Sequence, residues 1–184
     1  CPICDKAKFR SLPCHRSVPE NRPDYPPYWC VYVDAAGGQR SMGVKSFGGA
    51  IGNLVFIDVG SGDMKSLLYS QKSQFADLLE RYLIDVLSRQ WVTRILRCDG
   101  DAVNISQRVE LLASQYGFVV QPMSAGSTQE NGFAEKAVGD CTRLVTAFML
   151  GAPHLSKNKW GAAEAYAGIV KMILPQPSRG MCTP

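Results

Sequence analysis

Three acidic residues stand where chemistry is possible: Asp34, Asp99 and Glu135. Asp34 closes the β-forming run at residues 29–34 (WCVYVD), and Asp99 follows a second such run at residues 93–98 (TRILRC). Glu135 falls in the first turns of a long helical stretch. A lone aspartate at a strand end is ordinarily a turn or capping residue. Three carboxylates around one point are a different matter, because together they offset the charge of two divalent cations held roughly 4 Å apart. Hard cations such as Mg²⁺ prefer such oxygen ligands and keep some of their waters. That chemistry requires neighbouring strands to bring the two aspartates together and a helix to present Glu135 from the side.

The pattern around the acids supplies such elements. Residues 29–34, 54–59 (LVFIDV) and 65–69 are short β-forming runs separated by glycines, and they read as an antiparallel meander. Phe75, Leu78, Leu79, Tyr82, Leu83, Val86 and Leu87 then recur at helical spacing, with Lys72, Asp77, Glu80, Arg81, Asp85 and Arg89 opposite. Residues 93–98 form the next strand. A helix over 105–116 turns Val109, Leu112 and Ala113 inward and stops at Gly117. Residues 118–121 are a short strand, and 122–128 (PMSAGST) a small, polar, mobile loop. Helices over about 130–150 and 159–174 follow, broken at Pro153. The order β-β-β-α-β-α-β-α-α predicts an α/β fold: a five-stranded mixed sheet flanked by helices.

The chain of 184 residues suits one main domain with short appendages. Prolines 2, 13, 19, 23, 26 and 27 exclude a long helix or central strand from residues 1–27. That segment reads as a metal-binding tail and linker, with the domain proper at 28–175 and the start of a truncated extension at 176–184. The net charge of +4 permits a polyanionic partner without demanding one. No apolar run is long enough for a membrane span and no signal peptide opens the chain. Seven scattered cysteines do not make a disulfide framework. They point to a reducing compartment, with Cys30, Cys98 and Cys141 as small buried apolar residues. Cys1 and Cys4 have the spacing of half a zinc site, but a closed site needs four ligands. Cys14 and His15 are weaker local stand-ins. His154 reads as a loop residue, Asp58 as structural in a turn, and Trp29, Trp91 and Trp160 as core or interface anchors.

Residues 100 through 134 lie between Asp99 and Glu135, 35 in all, which is the D,D(35)E spacing of retroviral and retrotransposon integrases. Gln129-Glu130-Asn131-Gly132-Phe133-Ala134-Glu135-Lys136 resembles the Q-Q-N-G-V-A-E-R of Copia-type elements. Phe56-Ile57-Asp58 with Ser61 is similar to their F-I-D-D-x-S-R. Trp160 with Glu164-Ala165 is similar to W-x-E-A, and Leu174-Pro175 to the closing L-P. Cys182-Thr183-Pro184 falls at T-P-Y-E, and the segment from Cys1 to Lys8 resembles C-x-x-C-x-x-G-K, the end of an HHCC zinc module. Each motif is weak alone; the ordered set spans nearly the whole chain.

The resemblance implies an RNase H-like fold and an integrase catalytic core that trims the 3′ ends of element DNA and joins them to target DNA. Asp34, Asp99 and Glu135 would hold Mg²⁺ or Mn²⁺, with Asp101 a rival ligand and Glu130 a solvated neighbour. Lys136 and Arg143 would contact phosphate, with solvated helix charge as the plainer reading, and Asn131 and Gly132 would shape the start of the helix toward DNA. Zn²⁺ would need histidines upstream of Cys1. Homo-oligomers are implied, as is an intracellular setting: a cytoplasmic particle, then the nucleus. The sequence also departs from the pattern. Gly100-Asp101-Ala102-Val103 replaces N-G-G-E, the P-Y-T-P loop is lost, and Val59, Gly62 and Gly139 replace the family's Asp, Arg and basic residue. These changes favour a second expectation, a decayed nucleic-acid-binding module without catalysis. A third is a nuclease of the same fold that hydrolyses RNA–DNA hybrids.

Overall fold

A computed structural model describes residues 2–3, 25–38, 42–100, 106–123 and 128–173, with only the backbone at 128–131 and 133. The pair Cys1 and Cys4, the rival Asp101, most of the linker and the segment after 173 lie outside them. Five strands form one sheet: β1 (Cys30–Ala36), β2 (Gly52–Asp58), β3 (Met64–Tyr69), β4 (Ile95–Asp99) and β5 (Val119–Met123). Their order across the sheet is β3-β2-β1-β4-β5. The first three pair antiparallel, as the glycine-punctuated runs predict, while β4 and β5 pair parallel. Four α-helices flank the sheet among the described residues: α1 (Phe75–Ser88), α2 (Gln107–Tyr116), α3 (Thr128–Gly151) and α4 (Trp160–Ile173). The mixed sheet with flanking helices is the predicted architecture.

Alternation along the strands builds two apolar layers. Val31, Val33, Leu54, Phe56, Leu96 and Cys98 face α1 and α2, where Phe75, Leu79, Tyr82, Val86, Val109 and Leu112 meet them. Phe56 and Tyr82 stack with ring centroids 4.3 Å apart. On the other side, Ala36, Val55 and Met64 meet Ala137, Cys141 and Val145 of α3 and Trp160 and Ala167 of α4. Gly117, at φ 70°, ends α2 in the left-handed region, as predicted. Among the described residues no helix is long and apolar enough to cross a membrane.

Several local expectations are corrected. Leu87, assigned to the inner face of α1, is exposed, as is Ile84. Of the three tryptophans read as core or interface anchors, Trp160 is the core one, while Trp29 and Trp91 are about 40% exposed, which leaves them the interface alternative. The predicted loop at 122–128 gives up Pro122 and Met123 to β5 and Thr128 to α3. Proline is tolerated in β5 because this is an edge strand. The Val119 N–H donates inward to the Arg94 carbonyl, so the two-residue alternation turns the Pro122 nitrogen outward, where no ladder partner is needed.

Candidate active site

Asp34 and Asp99 follow directly on Val33 and Cys98, which are register partners in the parallel pair β1–β4. The two aspartates therefore leave adjacent strands, about 5 Å apart, on the same face. That face carries Cys30, Tyr32 and Asp34 in β1, and it is the one α3 covers. Ala134 packs against Tyr32 and Met123. Tyr32 precedes Asp34 by two residues, and Met123 is the β5 partner of Asp99. The contact seats the helix turn bearing Glu135 over the ends of the strands that bear the two aspartates.

The electrostatics report the same convergence. Burial raises the Asp34 carboxyl above its ordinary range; the Ala35 N–H opposes this, and the negative charges of Asp99 and Glu135 raise it further. Ala35 donates to Asp34 Oδ1 at 2.7 Å. Tyr69, at the end of β3, is raised by burial and then by the charge of Asp34. Asp34 is half-buried, while Asp99 and Glu135 are exposed. Among the described residues, no three His, Cys, Asp or Glu side chains stand close enough together to hold one ion. Asp34 thus feels the charge of both other acids, without a closed cage forming among the described residues. Unscreened carboxylates repel, and a divalent cation is what would draw them together. The donor set fits such a cation chemically: hard oxygen ligands, one of them half-buried on the central strand β1.

The other residues singled out from sequence fall as follows. Lys136 is exposed on α3 beside Glu135. Arg143 forms an ion pair with Asp140, which also accepts from Lys171 Nζ at 2.8 Å. Burial works against the Asp140 charge, but these two cations hold its carboxyl below the ordinary range. Asn131 and Gly132 lie in the first turns of α3, and a Cβ at Gly132 would meet open space. Asp58 is fully buried and accepts the Ser61 N–H in the β2–β3 turn, which is the structural role predicted for it. Cys30, Cys98 and Cys141 are buried free thiols, and burial raises Cys30 and Cys98 to about 11.

Two arrangements escape a reading of the sequence. Arg97, two residues before Asp99, donates to the Tyr32 hydroxyl at 2.5 Å and to Gln121 Oε1 at 3.0 Å, tying β4 to both of its neighbours, β1 and β5. Glu164 of α4 is 3% exposed. It accepts from Asn53 Nδ2 at 3.1 Å and from the Cys141 thiol at 2.9 Å. Burial raises its carboxyl, and hydrogen bonds from Cys141 and Ser66 only partly oppose this. A carboxyl raised on folding contributes most to stability below its unfolded pKa, and that contribution is lost as pH rises through the folded value. The stability of the wild type relative to Glu164→Gln should therefore be greatest in acid and decline toward neutrality. Urea unfolding of both proteins across about pH 4–8 checks this, and parallel curves would contradict it.

No protein-family model and no curated protein matches the chain. Solved structures do. The HTLV-2 integrase catalytic core domain in complex with magnesium, in its trimeric form, is 14% identical with TM-score 0.65, over 88% of this chain and 96% of that one. The dimeric form gives 14% and 0.61, over 83% and 91%. The simian T-cell lymphotropic virus intasome in complex with the PP2A regulatory subunit B56 gamma gives 14% and 0.66, over 84% of this chain and 51% of that one. The fold of this chain is the RNase H-like fold of a retroviral integrase catalytic core.

Proposed function

We propose that this chain is the catalytic core of a retroelement integrase of the Copia type, a polynucleotidyl transferase that processes the 3′ ends of element DNA and joins them to target DNA. One observation carries the reading: the parallel register of β1 and β4 sets Asp34 beside Asp99, and Ala134 against Tyr32 and Met123 brings in the helix turn that bears Glu135, although the three acids lie far apart in sequence. Asp34, Asp99 and Glu135 would hold Mg²⁺ or Mn²⁺. A bound pair of such ions supplies Lewis-acid activation of the attacking oxygen and charge relief at the leaving one. The chain's own part is positional. Parallel pairing of β1 and β4 fixes the spacing of the two aspartates, and Ala134 against Tyr32 and Met123 sets the helix that carries Glu135. Lys136 is exposed next to Glu135, available for a DNA phosphate. Self-association accords with the dimeric and trimeric forms of the HTLV-2 core.

A disintegration assay on branched DNA tests the reading, because an isolated core suffices for that reaction. Metal-dependent rejoining is the expected result; well-folded protein with none would reject it. A second reading, a module that keeps the fold without catalysis, is favoured by the absence of a closed three-acid cluster among the described residues. Calorimetric titration with Mn²⁺ separates the two. Saturable binding that disappears in Asp99→Asn supports the enzyme, and no binding supports the module.

A further inference from the structure

A second surface, beginning four residues beyond Asp34, carries chemistry that the acids do not use. The β1–β2 connection folds back as a tight turn: Ser46 N–H donates to the Ala50 carbonyl at 2.9 Å and Gly49 N–H to the Ser46 carbonyl at 2.8 Å. Gly48 and Gly49 have φ of 98° and 84°, a backbone that side chains rarely tolerate. The turn is anchored to the start of α4. Phe47 N–H donates to the Asn158 carbonyl at 2.7 Å, and the Trp160 indole donates to the Val44 carbonyl at 2.9 Å. The Trp160 ring in turn lies against Gly38, at the exit of β1. These hydrogen bonds tie the turn to α4 and leave Phe47 outward, 75% exposed.

The two segments that meet at that ring are basic. Lys159 Nζ sits over it, 4.2 Å from the centroid. Lys157 lies on the other side of Asn158, and Lys45 is two residues before Phe47; both are exposed. No acidic residue occurs between Asp34 and Asp58 or between Asp140 and Glu164, the two stretches that supply this surface. An aromatic face presented on a hydrogen-bonded turn, with one ammonium over it and two further exposed lysines in the same two segments, is the chemistry that binds single-stranded nucleic acid: a base stacks on the ring while phosphates meet the lysines. We propose that Phe47, with Lys45, Lys157 and Lys159, forms a contact surface for an unpaired or end-frayed stretch of polynucleotide. The Lys159 ammonium occupies one side of the ring, and the base stacks on the open side. The inference rests on the reading of the chain as a DNA-handling core, and it adds a surface separate from the three acids.

Binding of a fluorescent single-stranded oligonucleotide, measured in EDTA on the Asp99→Asn chain, isolates this surface from catalysis. Phe47→Ala should weaken binding roughly tenfold, as loss of one stacked base does, while Phe47→Trp retains it. In the Phe47→Trp chain, an unlabelled oligonucleotide should quench indole emission more than it does in the parent. Replacing the three lysines by glutamine should lower the slope of log affinity against log salt by about 2. Unchanged affinity in Phe47→Ala, no added quenching in Phe47→Trp or an unaltered salt slope would overturn the proposal. If these effects appear but branched DNA is never rejoined, the transferase reading fails alone; if DNA is rejoined but they are absent, this surface fails alone.

Discussion

Asp99→Asn and Glu135→Gln should each abolish disintegration, by on the order of 10³-fold or more, and the double variant should be no worse than either alone. Groups that act as one unit lose their effect together, so non-additivity is the signature expected of acids serving one site. The same variants should behave oppositely in stability. Without metal, Asp34 carries a charge disfavoured first by burial and then by its two acidic neighbours. Neutralising Asp99 removes part of that repulsion, so the metal-free variant should melt no lower than the parent. Added Mn²⁺ should raise the melting temperature of the parent, because a ligand that binds only the folded state stabilises it, and should leave Asp99→Asn unmoved. Full activity in Glu135→Gln, or an equal metal-induced shift in parent and variant, would remove Glu135 or Asp99 from the site.

The largest stability loss is expected from Trp160→Ala, at about 3–5 kcal/mol. Trp160 is fully buried, joins α4 to the layer formed by Ala36, Val55, Met64 and Val145, and donates its indole hydrogen bond to Val44. Its ring also fills the space that a Cβ on Gly38 would need, so the chain leaving Asp34 is shaped around it. A single domain commonly has only about 5–15 kcal/mol in hand, and such a loss would leave the variant marginal. Urea unfolding should show a lower midpoint with an unchanged slope. Trp160→Phe, which forfeits the hydrogen bond but keeps most of the volume, should lose clearly less. A loss below about 1 kcal/mol for the alanine variant would mean that the site collapses without cost, against the range for buried tryptophans.

The core elements are legible because their signals are local. The spacing of Phe75, Leu79, Tyr82 and Val86 gives α1, and short apolar runs between glycine-rich turns give the meander. Leu87 departs from expectation because the stripe of apolar residues is wider than the face that the sheet covers, and periodicity alone does not mark its rim. The extent of β5 is hidden because proline usually ends a strand, and only the sheet order reveals an edge. At the candidate site, the acids are visible through their spacing within an ordered set of motifs. Arg97 and Tyr32 are not: their contact spans 65 residues and arises only when β1 and β4 lie side by side. Glu164 stands out as part of a motif, but its burial against Asn53 and Cys141 depends on how α3 and α4 settle on the sheet.

The outward nitrogen of Pro122 bears on how copies of this molecule meet. An exposed rim of a sheet is a template on which another chain can extend the ladder, and such zippering leads to fibres. At this position the rim offers a ring carbon instead of a donor. An incoming strand would lose a bond midway and meet steric bulk, so growth along this side is discouraged, leaving association to go through side chains.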